Sequence, residues 1–182
     1  GGSAAACVGC WGKVVLGGRG LARFYQCGEW YQLDPRDLKD LGRATFGGHF
    51  PKEGVSAHSK IDEHTGELLF FNYSTEAPFM KYGVVNREGS LTNYVDIPLP
   101  GPRLPHDMAF TENWTILNDL PLFWDPAALA DGHYSNRFNR NLPSPFALLP
   151  RHGGTADIRW LEAPPTFILH FANASEDGHQ TE

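Results

Sequence analysis

Three histidines sit where side-chain chemistry is possible. His58 falls in Gly54-Val55-Ser56-Ala57-His58-Ser59-Lys60, His106 in Leu104-Pro105-His106-Asp107-Met108, and His170 in Phe167-Ile168-Leu169-His170-Phe171. Each borders an apolar run, and imidazole is a ligand for iron, copper, zinc and nickel. Strand alternation puts Ile168 and His170 on one face of 167–171, and Phe167, Leu169 and Phe171 on the other. In the same way His106 shares a face with Met108 and Phe110. A histidine so placed also serves as an ordinary core residue, and spacing leaves core packing and metal ligation equally open. The intervals between the three are long, near the ~40–50 residues of common propeller repeats. A shared site would therefore draw one ligand from each of three blades, on inner strands facing a central axis. The other five histidines, His49, His64, His133, His152 and His179, lie in polar or Gly-rich turns and read as solvated surface. Cys7, Cys10 and Cys27 are the only cysteines. Their single CxxC pair lacks the second pair of a four-thiolate zinc site, and an odd count gives no disulfide framework.

The elements that must position these residues read as short strands. Lys13–Leu16 is a candidate strand in an otherwise poorly patterned segment 1–20. Leu21–Leu33 reads as a hairpin with a Gly turn. Asp37–Leu41 and Gly47–Gly54 read as loops, and Asp62–Glu67 as a polar turn with Gly66 placed for positive φ. Leu68–Tyr73 (LLFFNY) is the strongest strand. Met80–Val85 and Leu91–Ile97 follow, joined across Asn86–Gly89. Asp107–Phe110 and Trp114–Asn118 form a hairpin turning at Thr111–Asn113. Pro126–Ala130 is a candidate short helix, and Asn136–Pro150 reads as a long ordered loop. Ala156–Leu161 and Thr166–Phe171 are the last expected strands. Many short strands with regular turn signals imply an all-β fold, and periodicity leaves sandwich, barrel and propeller open.

Bulk properties narrow the function. The chain has 182 residues, 41% hydrophobic and 13% aromatic, with 14 Pro and 20 Gly, which suits short strands and many turns. Its net charge of −6 offers no basic face for phosphates, so nucleic acid is not an expected partner. No apolar run approaches the ~18–20 residues of a membrane span. Nothing in the pattern indicates membrane contact, and the start lacks the apolar core of a secretory signal. A cytoplasmic location is the expectation.

At the three histidines the sequence resembles the carotenoid cleavage oxygenase family, also called the retinal pigment epithelial membrane protein family, which includes the lignostilbene dioxygenases. The matching pieces are YQLDPRDLKDLG, GVSAHSKIDEHTGELLFFNY, APFMKYGVVNREGSL, PLPGPRLPHDMAFTENWTILNDLPLFWDP and FILHFANASEDG. They run from about Tyr25 to Gly178. LPHDMAFTENW and the HFANA-x-EDG run are the most specific, and they occur in the family's order.

The resemblance implies a seven-bladed β-propeller, present here as a partial one of about three to four blades over residues 21–182. It implies a non-haem Fe(II) held by four histidines, of which His58, His106 and His170 match the first three. The fourth lies near the family's C-terminus, and His179 follows His170 too closely to replace it. The family also uses outer glutamates that accept hydrogen bonds from ligand histidines, fixing their tautomer and raising their basicity. Gln26 aligns with the first of these, as the partner of His106, and Glu29 is the nearest carboxylate. Ser59 stands where the first ligand motif usually has Pro. The implied reaction is cleavage of a C=C bond of a carotenoid, apocarotenoid or stilbene by O2, giving two carbonyl products. An apolar tunnel would run above the metal, with Phe50, Phe79, Leu120, Phe123, Trp124 and Phe146 as loop residues to line or cap it. Open blade edges would expose unpaired strands, so the isolated chain is expected to be poorly stable or inactive. Two other readings stand beside the enzyme. One is a non-catalytic propeller remnant acting as a binding or structural module. The other is a three-histidine zinc hydrolase, for which no general base is assigned.

Overall fold

The computed structural model describes residues 13–17, 20–24, 29–45, 54–124, 126–133 and 135–177. Their strands form three four-stranded antiparallel sheets. The first contains β1 (Lys13–Gly17), β2 (Gly20–Phe24), β3 (Tyr31–Leu33) and β4 (Asp40–Arg43), paired in chain order. β1 pairs with β2, so this sheet begins ahead of the boundary expected at residue 21. The second sheet contains β5 (Lys60–Ile61), β6 (Leu68–Tyr73), β7 (Phe79–Val85) and β8 (Leu91–Pro98), again in chain order. The third contains β9 (Ala109–Phe110), β10 (Trp114–Asn118), β13 (Ser144–Pro150) and β14 (Arg159–Ala163). Between β10 and β13 the chain makes an excursion of β11 (Leu122–Trp124), the short helix α1 (Pro126–Ala130) and β12 (Asn136–Phe138), with β11 and β12 paired. Three sequential four-stranded meanders of this kind are the blades of a partial β-propeller.

The central sheet explains why LLFFNY carries no clean alternation. Leu69, Phe70 and Phe71 are all fully buried, because both faces of this sheet are covered. Leu69 and Phe71 join Met80, Tyr82, Val84 and Ile97 in a core shared with Leu117, Ala147 and Leu149 of the third sheet and with Met108 just ahead of it. Phe70 and Val85 pack the other way, against Trp30, Ala44, Val55 and Ala57. Each such aromatic or aliphatic side chain contributes about 1.5–3 kcal/mol by leaving water. Gly83 faces Phe70 across the β6–β7 ladder, and a Cβ there would lie 2.3 Å from Phe70 Cζ. The ring occupies the space that the missing side chain leaves. At Gly66, φ is +76°, as the polar turn before β6 requires.

Polar contacts join the second and third sheets. Arg151, just after β13, is buried and donates from Nη1 to Asp62 Oδ2 at 2.6 Å and to Glu67 Oε2 at 3.2 Å. Its Nη2 donates to the Thr111 carbonyl. Tyr82 Oη donates to the Arg151 carbonyl and accepts from Thr115 Oγ1.

Several expectations change. Asn136–Pro150 is not a loop: it holds β12 and β13, and β13 is a central strand of its sheet. Pro145 and Pro150 both lie within β13. Residues 155–157 are a 3-10 turn, so the strand expected from Ala156 starts at Arg159. Thr166–Phe171 forms no strand; it is an irregular segment held by side chains. The helix at Pro126–Ala130 is present. His64, His133 and His152 are exposed as expected, whereas Cys7, Cys10, Cys27, Gln26, His49, Phe50 and His179 lie outside the described residues. No described helix is long and apolar enough to cross a membrane.

Candidate metal centre

The three singled-out histidines come together. Their ligand nitrogens lie within 4.8 Å of one another. The ring centroids of His58 and His106 are 4.3 Å apart, those of His58 and His170 4.8 Å, and those of His106 and His170 5.1 Å. Metal–nitrogen bonds of about 2.0–2.1 Å put two ligands of one ion at most about 4.2 Å apart. Adjacent ligands of one ion stand nearer about 3 Å, so the three nitrogens lie within an ångström or two of ligating separations. Three imidazoles offering lone pairs to one point are a donor set that fits a divalent transition metal.

None of the three lies on a strand, which corrects the expectation of inner-strand ligands. His58 sits in a turn just before β5, His106 in an irregular stretch just before β9, and His170 in the segment after β14. The strands thus deliver the chain to the site, and side chains set the last few ångströms. Ser56 does this for two of the histidines. Its Oγ donates to the His106 carbonyl at 3.2 Å and accepts from the His58 N–H at 3.1 Å. Ser56 is itself pinned, its N–H donating to the Phe71 carbonyl of β6. Ser59 donates from Oγ to the Ser56 carbonyl at 2.9 Å and closes the same turn.

Asp107 was not singled out from sequence, yet it lies at the base of the cluster. Its side chain is 2% exposed. Oδ1 lies 2.7 Å from Lys60 Nζ and 3.7 Å from His58 Nδ1, and accepts from the Met108 N–H at 2.8 Å. Oδ2 accepts from the Phe171 N–H at 3.0 Å. Asn118 Nδ2 in turn donates to the Asp107 carbonyl at 3.0 Å. Glu176 was missed too. Oε2 accepts from Thr111 Oγ1 at 2.8 Å, and Oε1 from Asn113 Nδ2 at 2.6 Å and the Asn113 N–H at 3.2 Å. It docks the His170 segment on the β9–β10 turn. The available signal was positional: Asp107 adjoins His106, Lys60 is two residues past His58, and Glu176 lies in the same run as His170.

The stretch leading to His106 has its own brace. Arg103 Nε lies 2.9 Å from Asp119 Oδ1, both side chains almost fully buried, and the guanidinium stacks 4.1 Å from the Phe123 ring. Burial holds the Asp119 carboxyl above its ordinary range, against the pull of Arg103.

Electrostatics favour neutral imidazoles. Burial pushes His58 down to about 4, helped by His106, His170 and Lys60 and opposed by Asp107. Burial and the neighbouring His170 also lower His106, again against Asp107. A neutral ring presents a free lone pair, which is the form that ligates a metal.

The residues expected to line a tunnel scatter. Phe79 and Phe146 are strand residues, Leu120 is 3% exposed in the packed interior, and Phe123 lies in β11 under Arg103. Phe146 does approach the site, its ring 6.4 Å from that of Phe171.

Known proteins resemble this chain in sequence and in fold. The family model described as retinal pigment epithelial membrane protein matches residues 12–182. A carotenoid 9,10(9',10')-cleavage dioxygenase of Crocus sativus is 34% identical over 150 residues, 81% of this chain and 27% of that protein. An isoeugenol monooxygenase of Pseudomonas nitroreducens is 34% identical over 151 residues, 81% of this chain and 32% of that protein. The crystal structure of Pseudomonas brassicacearum lignostilbene dioxygenase superposes with a TM-score of 0.81 at 28% identity, covering 92% of this chain and 36% of that one. The chain thus spans roughly a third of the length of these proteins. With the family model matched from β1 to the His170 segment, and the three-histidine cluster standing on propeller blades, this chain belongs to the retinal pigment epithelial membrane protein, or carotenoid cleavage oxygenase, family.

Proposed function

We propose that the protein carrying this chain is a non-haem Fe(II) dioxygenase that cleaves a C=C bond of a carotenoid, apocarotenoid or stilbene with O2. The observation that carries the reading is the convergence of His58, His106 and His170, from three separate segments, to within 4.8 Å. Relatives are named for cleaving carotenoids and for acting on isoeugenol, and a structural neighbour for lignostilbene. All of these are apolar molecules with a conjugated alkene. In the reaction both oxygen atoms of O2 enter product, R–CH=CH–R′ becoming R–CHO and R′–CHO, with no other reductant or oxidant consumed.

His58, His106 and His170 would hold the iron, which supplies the redox chemistry that makes O2 reactive toward the alkene. The residues of the chain set the stage for it. Burial keeps His58 and His106 unprotonated, so their lone pairs stay available at neutral pH. Ser56 and Asp107 fix the backbone on either side of the rings. Gln26, aligned with an outer glutamate, would accept a hydrogen bond from His106 without adding charge. The converged histidines favour this reading over a non-catalytic remnant, which has no reason to keep three imidazoles at one point.

The test is made on the whole protein. Iron near one per chain is expected, together with turnover of an apocarotenal, resveratrol or isoeugenol. With 18O2, one labelled oxygen is expected in each carbonyl product. Label in only one product would make it a monooxygenase. Zinc at full occupancy with no O2 uptake would replace the reading with the hydrolase.

A further inference from the structure

We propose that Asp107 is a positioning residue for the three-histidine cluster: a single carboxylate, neutralised by Lys60, that ties together the chain segments bearing all three imidazoles. The role rests on the reading of that cluster as a metal site. The carboxylate meets each segment beside its histidine. Asp107 itself follows His106. Lys60, two residues past His58, places Nζ 2.7 Å from Oδ1, with His58 Nδ1 3.7 Å from the same oxygen. Phe171, which follows His170, donates its N–H to Oδ2 at 3.0 Å. No ladder does this work, because none of the three histidines is in a strand. The strands fix the sheets relative to one another but leave the distance between these connecting segments to side chains.

The charge arrangement gives the role a sign. Asp107 is buried, and a buried carboxylate is costly unless it is paired and hydrogen-bonded. Here two backbone N–H groups and one ammonium satisfy it. A divalent ion at the cluster adds positive charge beside an anion that Lys60 already neutralises. Replacing Lys60 with an apolar residue leaves the anion in place, so the metal-free protein loses stability while the metal-bound form recovers it. Replacing Asp107 with Asn does the reverse. The amide has one acceptor oxygen where the carboxylate had two, and its NH2 cannot face the Lys60 ammonium without repulsion. The anion that favours a nearby cation is also gone.

The two substitutions are therefore expected to move metal-linked stability in opposite directions. The whole protein, stripped by chelation, is titrated with Co(II). Affinity and the visible d–d absorption are recorded, and Tm is measured with and without the ion. Outer partners of metal-ligating histidines are worth about 10–100-fold in affinity, and D107N is expected to lose affinity in that range, alter the d–d bands and shrink the rise in Tm on loading. K60M is expected to lower Tm of the metal-free protein and enlarge the rise on loading. G89A, in the β7–β8 turn away from the cluster, where φ is +86°, serves as control and is expected to lower both values of Tm equally. D107N binding within about twofold of the unsubstituted protein, with unchanged bands, overturns the role. So does a K60M rise equal to or below that of the unsubstituted protein, and this arm decides alone if D107N does not fold. An unsubstituted protein that takes up no Co(II) overturns the metal-site reading itself, and the role with it.

Discussion

Substituting Arg151 with Met is the sharpest test of how the second and third sheets are held together. The guanidinium is 4% exposed and bonds Asp62 and Glu67 on one sheet and the Thr111 carbonyl on the other. Methionine matches the stem but strands Asp62, which is 7% exposed, without its cation. Removing one partner of a buried pair costs about 3–5 kcal/mol, against about 0–1 kcal/mol for an exposed pair. The Asp62 carboxyl adds a pH signature. Burial works against its ionisation, but Arg151 and the backbone N–H groups of the turn outweigh that and hold it below its ordinary value. A depressed carboxylate contributes stability that is fully present above the unfolded value of about 3.9 and is lost as pH falls through the folded one. In R151M the same carboxyl lacks its cation and titrates higher. The gap between the two proteins should thus be widest at neutral pH and narrow toward pH ~3. Chemical denaturation of the whole protein at pH 7 and near 3 measures it, and R151M/D62N should recover part of the loss. A loss under ~1 kcal/mol at pH 7, or a gap that does not change with pH, would refute the clamp.

Other consequences follow from single contacts. G83A drives a methyl to 2.3 Å from Phe70 Cζ and should cost about 1–3 kcal/mol in the same assay, with G83A/F70L recovering most of it. A G83A protein as stable as the original would show that β6 and β7 can part at no cost. E176A removes three hydrogen bonds that dock the His170 segment on the Thr111–Asn113 turn. Faster amide exchange at Phe171 and weaker Co(II) binding are expected, and unchanged exchange would rule the anchor out. In the metal-free protein the His58 imidazole should titrate by NMR with a midpoint near 4. Because its folded value lies below the unfolded value of about 6.5, stability falls as pH drops from ~6.5 toward ~4. A midpoint at 6 or above would mean that His58 is solvated and the cluster is not formed.

How much of this was legible in the sequence depends on the range over which each feature is determined. Leu68–Tyr73 and Trp114–Asn118 announce themselves as strands because their apolar content and flanking turns are local facts. Pro145 and Pro150 misled in β13: neither breaks the sheet, although each lacks an N–H and a ladder normally loses a bond there. The segment 166–171 misled in the other direction. Its alternation suits a strand, but the N–H of Phe171 goes to Asp107 and that of Thr166 to Ser144 Oγ, so side chains take the place of a ladder. The three histidines were visible as types and intervals. Asp107 was visible only as the neighbour of one of them, because its meaning comes from contacts 47 to 64 residues away along the chain, with Lys60 and Phe171 at the two ends of that range.

That division has a physical consequence for the centre. Backbone pairing within a sheet is specified by turns and by alternation, so each sheet can be assembled from local signals. A site between sheets has no such ladder, and its precision must come from polar side chains that reach across. Here those side chains are buried, and each touches more than one segment: Ser56 joins the His58 turn to His106, and Asp107 joins His106 to Lys60 and to Phe171. A buried polar group is tolerated only when its partners are all in place. The arrangement is therefore close to all-or-none, since losing one partner strands the others in the interior. On this account the loss of Asp107 and the loss of Ser56 should not be additive. D107N/S56A should cost less stability than the two single losses together, because either one alone already frees the segment that the other holds. A double-mutant cycle on the metal-free whole protein, read by chemical denaturation, measures this. Strict additivity would mean that the three histidine segments are held separately, and that the cluster is an assembly of independent anchors rather than one coupled unit.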